Sequence, residues 1–120
     1  MSRLVYLASP YTHPDPWVRQ ERYEQALAAQ TRLLDRGEFV FSPIVQTHYS
    51  DMKLRQSKDH AFWMRLALEY LHRCDALLIL TLEGWQWSKG VKAEMDAAKL
   101  AGLPVEFMEW PEPLREGMGG

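Results

Sequence analysis

The hydrophobic positions of this chain fall into four short apolar runs that alternate with longer segments of mixed character. The four runs are 3–9, 38–42, 75–82 and 103–108. Short runs that are apolar throughout are typical of strands buried on both faces of a sheet. The segments that carry apolar residues at helical spacing are 17–36, 60–73 and 88–102. The chain therefore predicts the order strand, helix, strand, helix, strand, helix, strand.

Helix start and stop signals support these boundaries. Asp15 is a suitable cap with Pro16 at the first helical position, and Ser88 is placed to cap the last helix, which Gly102 ends. The segment 43–58 is polar and lacks a clear period, so we interpret it as a long loop. Unstructured loops of that length in compact domains are either functional lids and binding loops or disordered segments.

This alternation predicts a parallel sheet with helices on both faces. We expect an α/β chain that forms a single three-layer, Rossmann- or flavodoxin-like domain, with a parallel sheet of four or five strands in the order 2-1-3-4. Ligands of such sheets bind beyond the carboxyl ends of the strands where the winding direction reverses, between strands one and three. The loops that leave those two strands are expected to bring together Ser9, Tyr11, Ser88 and Gly90.

Composition narrows the class of protein. The chain has 120 residues, 47% of them hydrophobic, which is enough for one domain with one core. We assign residues 1–110 to this domain and the Pro- and Gly-containing residues 111–120 to a flexible C-terminal tail. A formal charge of -2 without a basic run argues against nucleic acid as a partner. The single cysteine fits a cytoplasmic location, and no apolar run is long enough for a signal peptide or a membrane span.

One helix face carries a residue that its neighbours do not explain. Small residues share this face of the last helix with Glu94, namely Gly90, Ala93, Ala97, Ala98 and Ala101. No cation lies three or four residues from Glu94, so a helical ion pair is excluded. Glu94 is then either a surface residue at the edge of the stripe or a partly buried carboxylate with a chemical role. In the second case Gly90 leaves room for a ligand.

The start of the same helix suits an anion. The first backbone N–H groups after Ser88 have no helical partner, and Gly90 would let a phosphate approach them, although many Ser caps serve only their own helix. A desolvated carboxylate such as Glu94 can attack an anomeric carbon or stabilise a cationic transition state. Tyr6, in the middle of the first strand, is either a core aromatic or the residue that orients this carboxylate.

Two tryptophans, Trp85 and Trp87, precede this helix. Either they stack on a base, which would make Trp85 a substrate-binding residue, or they bury a subunit interface. A small domain with a shallow site and two indoles to cover predicts a symmetric homo-oligomer, at least a dimer, with the site near the interface. The four histidines have no metal-ligand spacing with cysteine, so we expect no metal and no cofactor.

Four stretches of the chain carry a family resemblance, namely YLASPY, CDALLIL, GWQWSKGVKAE and AKLAGLPV. They resemble the nucleoside 2-deoxyribosyltransferase-like superfamily, and most closely a small group of unassigned bacterial and phage domains. The Ser-x-Gly-Val-x-x-Glu pattern is also similar to that of 2'-deoxynucleoside 5'-phosphate N-hydrolases. The resemblance spans residues 3–108. It implies that Glu94 is the nucleophile and that Tyr6 orients it, and also that Ser88 and Gly90 bind a 5'-phosphate.

The chain departs from the family pattern at Ala67. The family usually has an aspartate at this position, which handles the proton of the departing base, so Asp59 or His60 would have to be the proton donor instead. The resemblance implies an N-glycosidase or deoxyribosyltransferase that acts on a small-molecule (deoxy)nucleoside or 5'-nucleotide. A non-catalytic nucleotide-binding module and a structural domain that oligomerises through its tryptophans remain as alternatives.

Overall fold

Four parallel strands form the central sheet of the computed structural model, which describes residues 2–113. The strands are β1 (Leu4–Ala8), β2 (Phe39–Phe41), β3 (Ala76–Leu80) and β4 (Val105–Met108). Their order in the sheet is β2-β1-β3-β4, and every neighbouring pair is parallel. The predicted α/β class and strand order are confirmed, and the winding direction reverses between β1 and β3.

Four α-helices of the described residues connect these strands. They are α1 (Pro16–Asp35), α2 (Pro43–Leu54), α3 (His60–Leu71) and α4 (Lys89–Leu100). Each is preceded by a residue whose side chain accepts a backbone N–H of the first turn, and these caps are Asp15, Ser42, Asp59 and Ser88. Because the caps satisfy N–H groups that have no helical partner, they fix where each helix begins.

The sheet is covered on both faces, which makes the domain three layers thick. On one face Tyr6 packs with Leu71 at the end of α3 and with Val91 of α4. On the other face Leu7 packs with Leu33 of α1. Successive side chains of a strand point to opposite faces, so Tyr6 is directed toward the layer that contains α4.

The prediction of a long loop over 43–58 is wrong, because α2 fills most of this segment. Ser42 caps the helix by accepting a backbone N–H at 3.2 Å, and Pro43 occupies the first helical position. The helix buries two polar residues, His48 and Asp51. A helix whose buried face is polar has no hydrophobic period, which is why periodicity does not reveal it.

Only the first three residues of the predicted tail, 111–120, are described. Among them Glu112 accepts hydrogen bonds from Arg32 at 3.1 Å and from Arg36, both at the end of α1 or just beyond it. The rest of the predicted tail, 114–120, lies outside the described residues. In the described part of the chain, no helix combines the length and the apolar character that crossing a membrane requires.

Candidate active site

A cavity of about 240 Å³ lies beside the carboxyl end of β1 and the start of α4. Ala8 and Ser9 line it where β1 ends, and Ser88 and Gly90 line it where α4 begins. Side chains of α2 and α3 supply further walls. This edge of a parallel sheet is where α/β proteins bind ligands, and it is where the strand order predicted a crevice.

Glu94 lies in the wall of this cavity as a buried carboxylate. Its exposed fraction is 6%, and it shares the inner face of α4 with the buried Val91 and Ala98. Tyr6, from the middle of β1, donates a hydrogen bond from its hydroxyl to Oε2 of Glu94. Glu94 is therefore not a surface residue, and Tyr6 makes the contact expected of a residue that orients the carboxylate.

The electrostatic environment sets the protonation of this pair. Burial raises the pKa of Glu94 to about 7, because the carboxylate loses hydration, and the hydrogen bond from Tyr6 opposes that rise. Burial, followed by the neighbouring charge of Glu94, raises the pKa of the Tyr6 hydroxyl, which therefore remains a donor at neutral pH. Near pH 7 Glu94 is divided between its acid and carboxylate forms. A poorly hydrated carboxylate of this kind can act as a nucleophile or stabilise positive charge.

The N-terminus of α4 opens onto the same cavity. The hydroxyl oxygen of Ser88 accepts a hydrogen bond from the N–H of Val91 at 3.2 Å, and the N–H groups that precede Val91 in the first turn have no helical partner. A Cβ atom at Gly90 would stand 3.8 Å from Oγ of Ser88 and 3.9 Å from Sδ of Met64 on α3. The glycine thus leaves space, one turn from Glu94, that an anionic group could occupy.

Most of the predicted site residues meet at this cavity. Ser9 and Tyr11 line it, as do Asp59 and His60, which are both exposed. Asp59 also caps α3, because its Oδ1 accepts a hydrogen bond from the N–H of Phe62 at 2.9 Å. The two residues proposed as proton donors therefore lie at the solvent-facing rim of the cavity.

Trp85 does not line the cavity, contrary to its prediction as a substrate-binding residue. Gly84, with a φ of +87°, leads the chain into a short 3₁₀ helix over Trp85–Trp87. This turn directs Trp85 toward β4, where its ring centroid is 5.6 Å from that of Phe107. Trp87 is 86% exposed and is likewise absent from the cavity wall. The conformation of the loop, which the sequence pattern does not specify, decides where both indoles point.

Sequence reasoning missed a polar cluster that α2 brings to the cavity. Asp51 is buried, and its Oδ2 accepts hydrogen bonds from Arg55 at 2.8 Å and from the hydroxyl of Tyr11 at 3.2 Å. The same hydroxyl lies 2.7 Å from Nδ1 of the buried His48, whose Nε2 lies 2.9 Å from Oε1 of Gln20. Burial lowers the pKa of His48, which is therefore a neutral imidazole near pH 7. The helical spacing of His48, Asp51 and Arg55 is the signal that could have revealed the cluster.

Two further polar atoms in the cavity wall are buried without a hydrogen-bond partner among the described residues. They are Oγ of Ser9 and Nε1 of Trp63. Both atoms have almost no accessible surface, so neither faces the free space of the cavity. In residues 2–113, no three His, Cys, Asp or Glu side chains are grouped to hold a metal ion.

Comparison with known proteins identifies the family. A family profile described as a domain of unknown function, DUF1937, matches residues 3–110. The chain belongs to the DUF1937 family. A solved structure of similar fold is the 2-deoxyribosyltransferase of the psychrotolerant bacterium Bacillus psychrosaccharolyticus, with a TM-score of 0.58 and 20% identity. The similarity covers 96% of the DUF1937 chain and 79% of the other chain. A search of curated proteins finds no match.

The fold that the predicted resemblance implies is confirmed by this structural similarity. At 20% identity the similarity establishes the architecture alone. The chemistry of the DUF1937 domain has to follow from its own cavity.

Proposed function

We propose that this DUF1937 domain is an N-glycosidase or deoxyribosyltransferase that cleaves the N-glycosidic bond of a (deoxy)nucleoside or 5'-nucleotide. One observation carries the proposal: Glu94 is a buried carboxylate, held by Tyr6, in the wall of a cavity that also receives the N-terminus of α4. The fold shared with the 2-deoxyribosyltransferase of Bacillus psychrosaccharolyticus supports the same class of reaction.

In this proposal Glu94 is the nucleophile. Its Oε2 accepts the hydrogen bond from Tyr6, which leaves Oε1 for attack on C1' of the sugar. The bond between C1' and the base nitrogen breaks, its electron pair leaves with the base, and an ester joins Glu94 to the sugar. Attack of water on C1' then releases the sugar and restores Glu94. Attack by a second base instead gives a new nucleoside.

The substrate is bound by groups on both sides of Glu94. A 5'-phosphate would lie against the first-turn N–H groups of α4, beside Ser88 and Gly90, where the helix dipole also favours negative charge. Ser9 and Tyr11, which line the cavity, are proposed to contact the substrate. The proposed partner is thus a small-molecule nucleoside or nucleotide.

The departing base needs a proton, and Ala67 supplies none. The side chain at this position is a methyl group that lines the cavity. Of the candidate donors, Asp59 already accepts a backbone N–H as the cap of α3, which leaves His60 at the rim as the better candidate. A positioned general acid typically contributes about 10²–10⁴-fold to the rate, so catalysis with a rim donor should be slow for poor leaving groups.

The test is chromatography of the protein with a panel of nucleosides and 5'-nucleotides, with and without an added free base. Release of base without an acceptor indicates hydrolysis, whereas a new nucleoside formed only with the added base indicates transfer. We expect Glu94→Gln to lower turnover by about 1,000-fold or more. The matched control is Asp96→Asn, which removes an exposed carboxylate of the same helix. Normal turnover in Glu94→Gln would show that another residue carries the reaction.

A non-catalytic nucleotide-binding module is the second candidate, and the apolar Ala67 in the cavity wall favours it. Such a module would keep the anion site of α4 and release no base. A nucleotide present at about 100 times its dissociation constant should then stabilise the fold by about 2.7 kcal/mol. Thermal stabilisation by a nucleotide that remains intact after prolonged incubation would establish this alternative.

A further inference from the structure

The loop that leaves β1 forms part of the cavity wall without backbone support of its own. Ser9, Tyr11 and Thr12 of this loop line the cavity. In the described part of the chain, no backbone–backbone hydrogen bond holds residues 10–13. Ordering such a segment costs conformational entropy, so a single conformation requires contacts from other elements.

Helix α1 holds the far end of this loop. The guanidinium of Arg22 donates a hydrogen bond to the carbonyl oxygen of Thr12 at 3.0 Å, and Arg19 donates to the carbonyl oxygens of His13 and Pro14. These contacts fix residues 12–14. The side chain of Tyr11, which precedes them, is held by a different helix.

Two side chains of α2, one turn apart, contact the hydroxyl of Tyr11. This hydroxyl lies 2.7 Å from Nδ1 of His48, and it donates a hydrogen bond to Oδ2 of Asp51 at 3.2 Å. A hydroxyl can donate one hydrogen bond and accept two, so both contacts can form together. The ring of Tyr11 also meets the ring of His48 edge-on, with centroids 5.6 Å apart.

His48 is fixed in turn by α1. The residue is buried, and its ring stacks on that of Tyr23 with centroids 4.2 Å apart and an angle of 12° between the planes. On the side of the ring away from Tyr11, Nε2 lies 2.9 Å from Oε1 of Gln20. His48 therefore connects the loop after β1 to α1, and its imidazole cannot turn away from Tyr11 without losing these contacts.

The polar character of this cluster favours a role in positioning over a role in stability. A buried hydrogen bond adds little net stability, because water offers equivalent partners to the unfolded chain. Yet α2 buries His48 and Asp51 and leaves Tyr49 and Met52 exposed. Hydrogen bonds form only within a narrow range of distance and angle, so the cluster fixes where the side chain of Tyr11 lies.

We infer that His48 is a positioning residue for substrate binding, which holds the hydroxyl of Tyr11 and so keeps the loop 9–13 in the conformation that receives the substrate. The inference rests on the proposed function, in which Ser9 and Tyr11 contact the substrate. Without His48 only a fraction of the molecules has the loop in place, so the apparent dissociation constant rises by the inverse of that fraction. The chemical step is unchanged, because the hydrogen bond between Tyr6 and Glu94 involves neither α2 nor this loop.

Two variants of His48 separate positioning from packing. His48→Phe keeps a ring for Tyr23 and removes both nitrogens, whereas His48→Asn loses the ring and keeps an amide that can donate to Tyr11 or accept from it. For the wild type and both variants, kcat and KM of base release are measured with the 5'-monophosphates of deoxyadenosine, deoxyguanosine, deoxycytidine and thymidine. The matched control on α2 is Met52→Ala, which changes an exposed side chain.

For the nucleotide that the wild type cleaves best, we expect His48→Phe to raise KM by about fivefold and to leave kcat within about twofold. His48→Asn and Met52→Ala should keep KM within about twofold of the wild type. A larger rise of KM in His48→Asn than in His48→Phe would overturn the inference, because the packing of the ring would then matter and the hydrogen bond would not.

A double variant tests whether His48 acts through Tyr11. Tyr11→Phe removes the hydroxyl, so adding His48→Phe to it should change KM by less than about twofold. A fivefold effect of His48→Phe in both backgrounds would contradict the inference, because His48 would then act independently of Tyr11.

Urea unfolding confirms that each variant is folded under the assay conditions. Where His48→Phe does not fold, His48→Leu takes its place with the same expectations, since leucine also lacks the hydrogen bond. If the wild type neither cleaves nor binds any of the four nucleotides, the proposed function fails and the inference falls with it. Cleavage with an unchanged KM in His48→Phe, in contrast, overturns the inference alone.

Discussion

The carboxyl group of Glu94 is buried, and burial disfavours its charged form. A pKa shift of one unit corresponds to about 1.36 kcal/mol. A rise of the Glu94 pKa from 4.5 to about 7 therefore means that ionising this side chain costs about 3 kcal/mol more in the folded protein than in water. The hydrogen bond from Tyr6 reduces this cost and does not remove it. A carboxylate kept this poorly hydrated reacts more readily with an electron-poor carbon than a solvated one does.

The activity should therefore depend on pH through Glu94. The nucleophile must be ionised, so kcat/KM for base release should rise with pH, reach half of its maximum near pH 7, and fall by about tenfold per pH unit well below that value. The measurement is kcat/KM between pH 5 and 9 with one substrate that does not titrate in this range. A profile that is flat down to pH 5 would show that the reacting group has an ordinary carboxyl pKa.

Stability should show the opposite trend. The pKa of Glu94 is higher in the folded protein than in the unfolded chain, so the folded protein holds this proton more tightly. The resulting stabilisation is fully present below about pH 4.5 and is lost as the pH rises to about 7. The neutral side chain of Glu94→Gln avoids the loss and can still accept the hydrogen bond from Tyr6. We expect this variant to be more stable than the wild type at pH 8, by up to about 3 kcal/mol, and equal to it near pH 4.

Urea unfolding of both proteins at pH 4 and pH 8 measures this difference. The control is Asp96→Asn, whose carboxylate is exposed and pairs with Lys92 on the surface of α4. Its stability should differ little from that of the wild type at either pH. Glu94→Gln that is less stable than the wild type at pH 8 would contradict the assigned cost of ionisation.

At the scale of elements, the N-terminus of α4 is the proposed binding site of a 5'-phosphate, and it lies one turn from Glu94. A Cβ atom added at Gly90 makes only ordinary contacts, at 3.8 Å and 3.9 Å, so Gly90→Ala should fold normally. The added methyl group would occupy the space beside the first-turn N–H groups. We expect the variant to bind a 5'-nucleotide about tenfold more weakly or worse, and the matching nucleoside within about threefold of the wild type.

Calorimetric titration of the nucleotide and the nucleoside into both proteins checks this expectation. The nucleoside serves as the internal control, because it differs from the nucleotide only by the phosphate. Equal weakening of both ligands would mean that the phosphate lies elsewhere in the cavity.

The elements differ in how far the sequence predicts them. The strands and α4 follow from apolar runs and caps, and Glu94 stands out because it interrupts a stripe of small residues. In contrast, α2 turns His48 and Asp51 inward while the apolar Tyr49 and Met52 are each 55% exposed. Its hydrophobic pattern thus indicates no buried face, although Ser42 and Pro43 supply start signals. Tertiary contacts with Tyr11 and Gln20, which no local pattern encodes, satisfy the polar face.

At the scale of the whole molecule, exposed apolar side chains bear on assembly. The prediction of a homo-oligomer relied on the two indoles of Trp85 and Trp87. In the structure Phe107 covers part of Trp85, whereas Trp87 is 86% exposed. Trp87 directly precedes the cap of α4, so an interface that buries it would lie next to the cavity. We expect at least a dimer in sedimentation at micromolar concentration, and a monomer for Trp87→Lys.

A matched control is Leu100→Lys, which changes an apolar residue of 91% exposure at the opposite end of α4. This variant should sediment like the wild type. A wild-type monomer at these concentrations would rule out the interface, and dissociation caused equally by both variants would place it on a different surface.

The position of α2 at the edge of the sheet affects how this domain can be altered. It follows β2, an edge strand of three residues, whereas Tyr6 and Glu94 stand on the central strand β1 and on α4. A graft that replaces α2 together with the turn that follows it leaves both partners of the Tyr6–Glu94 hydrogen bond in place. A library of such grafts would keep one chemical step and vary the molecules that reach it. Under the proposed function, the domain therefore suits directed evolution in which substrate choice is screened while the reaction stays constant.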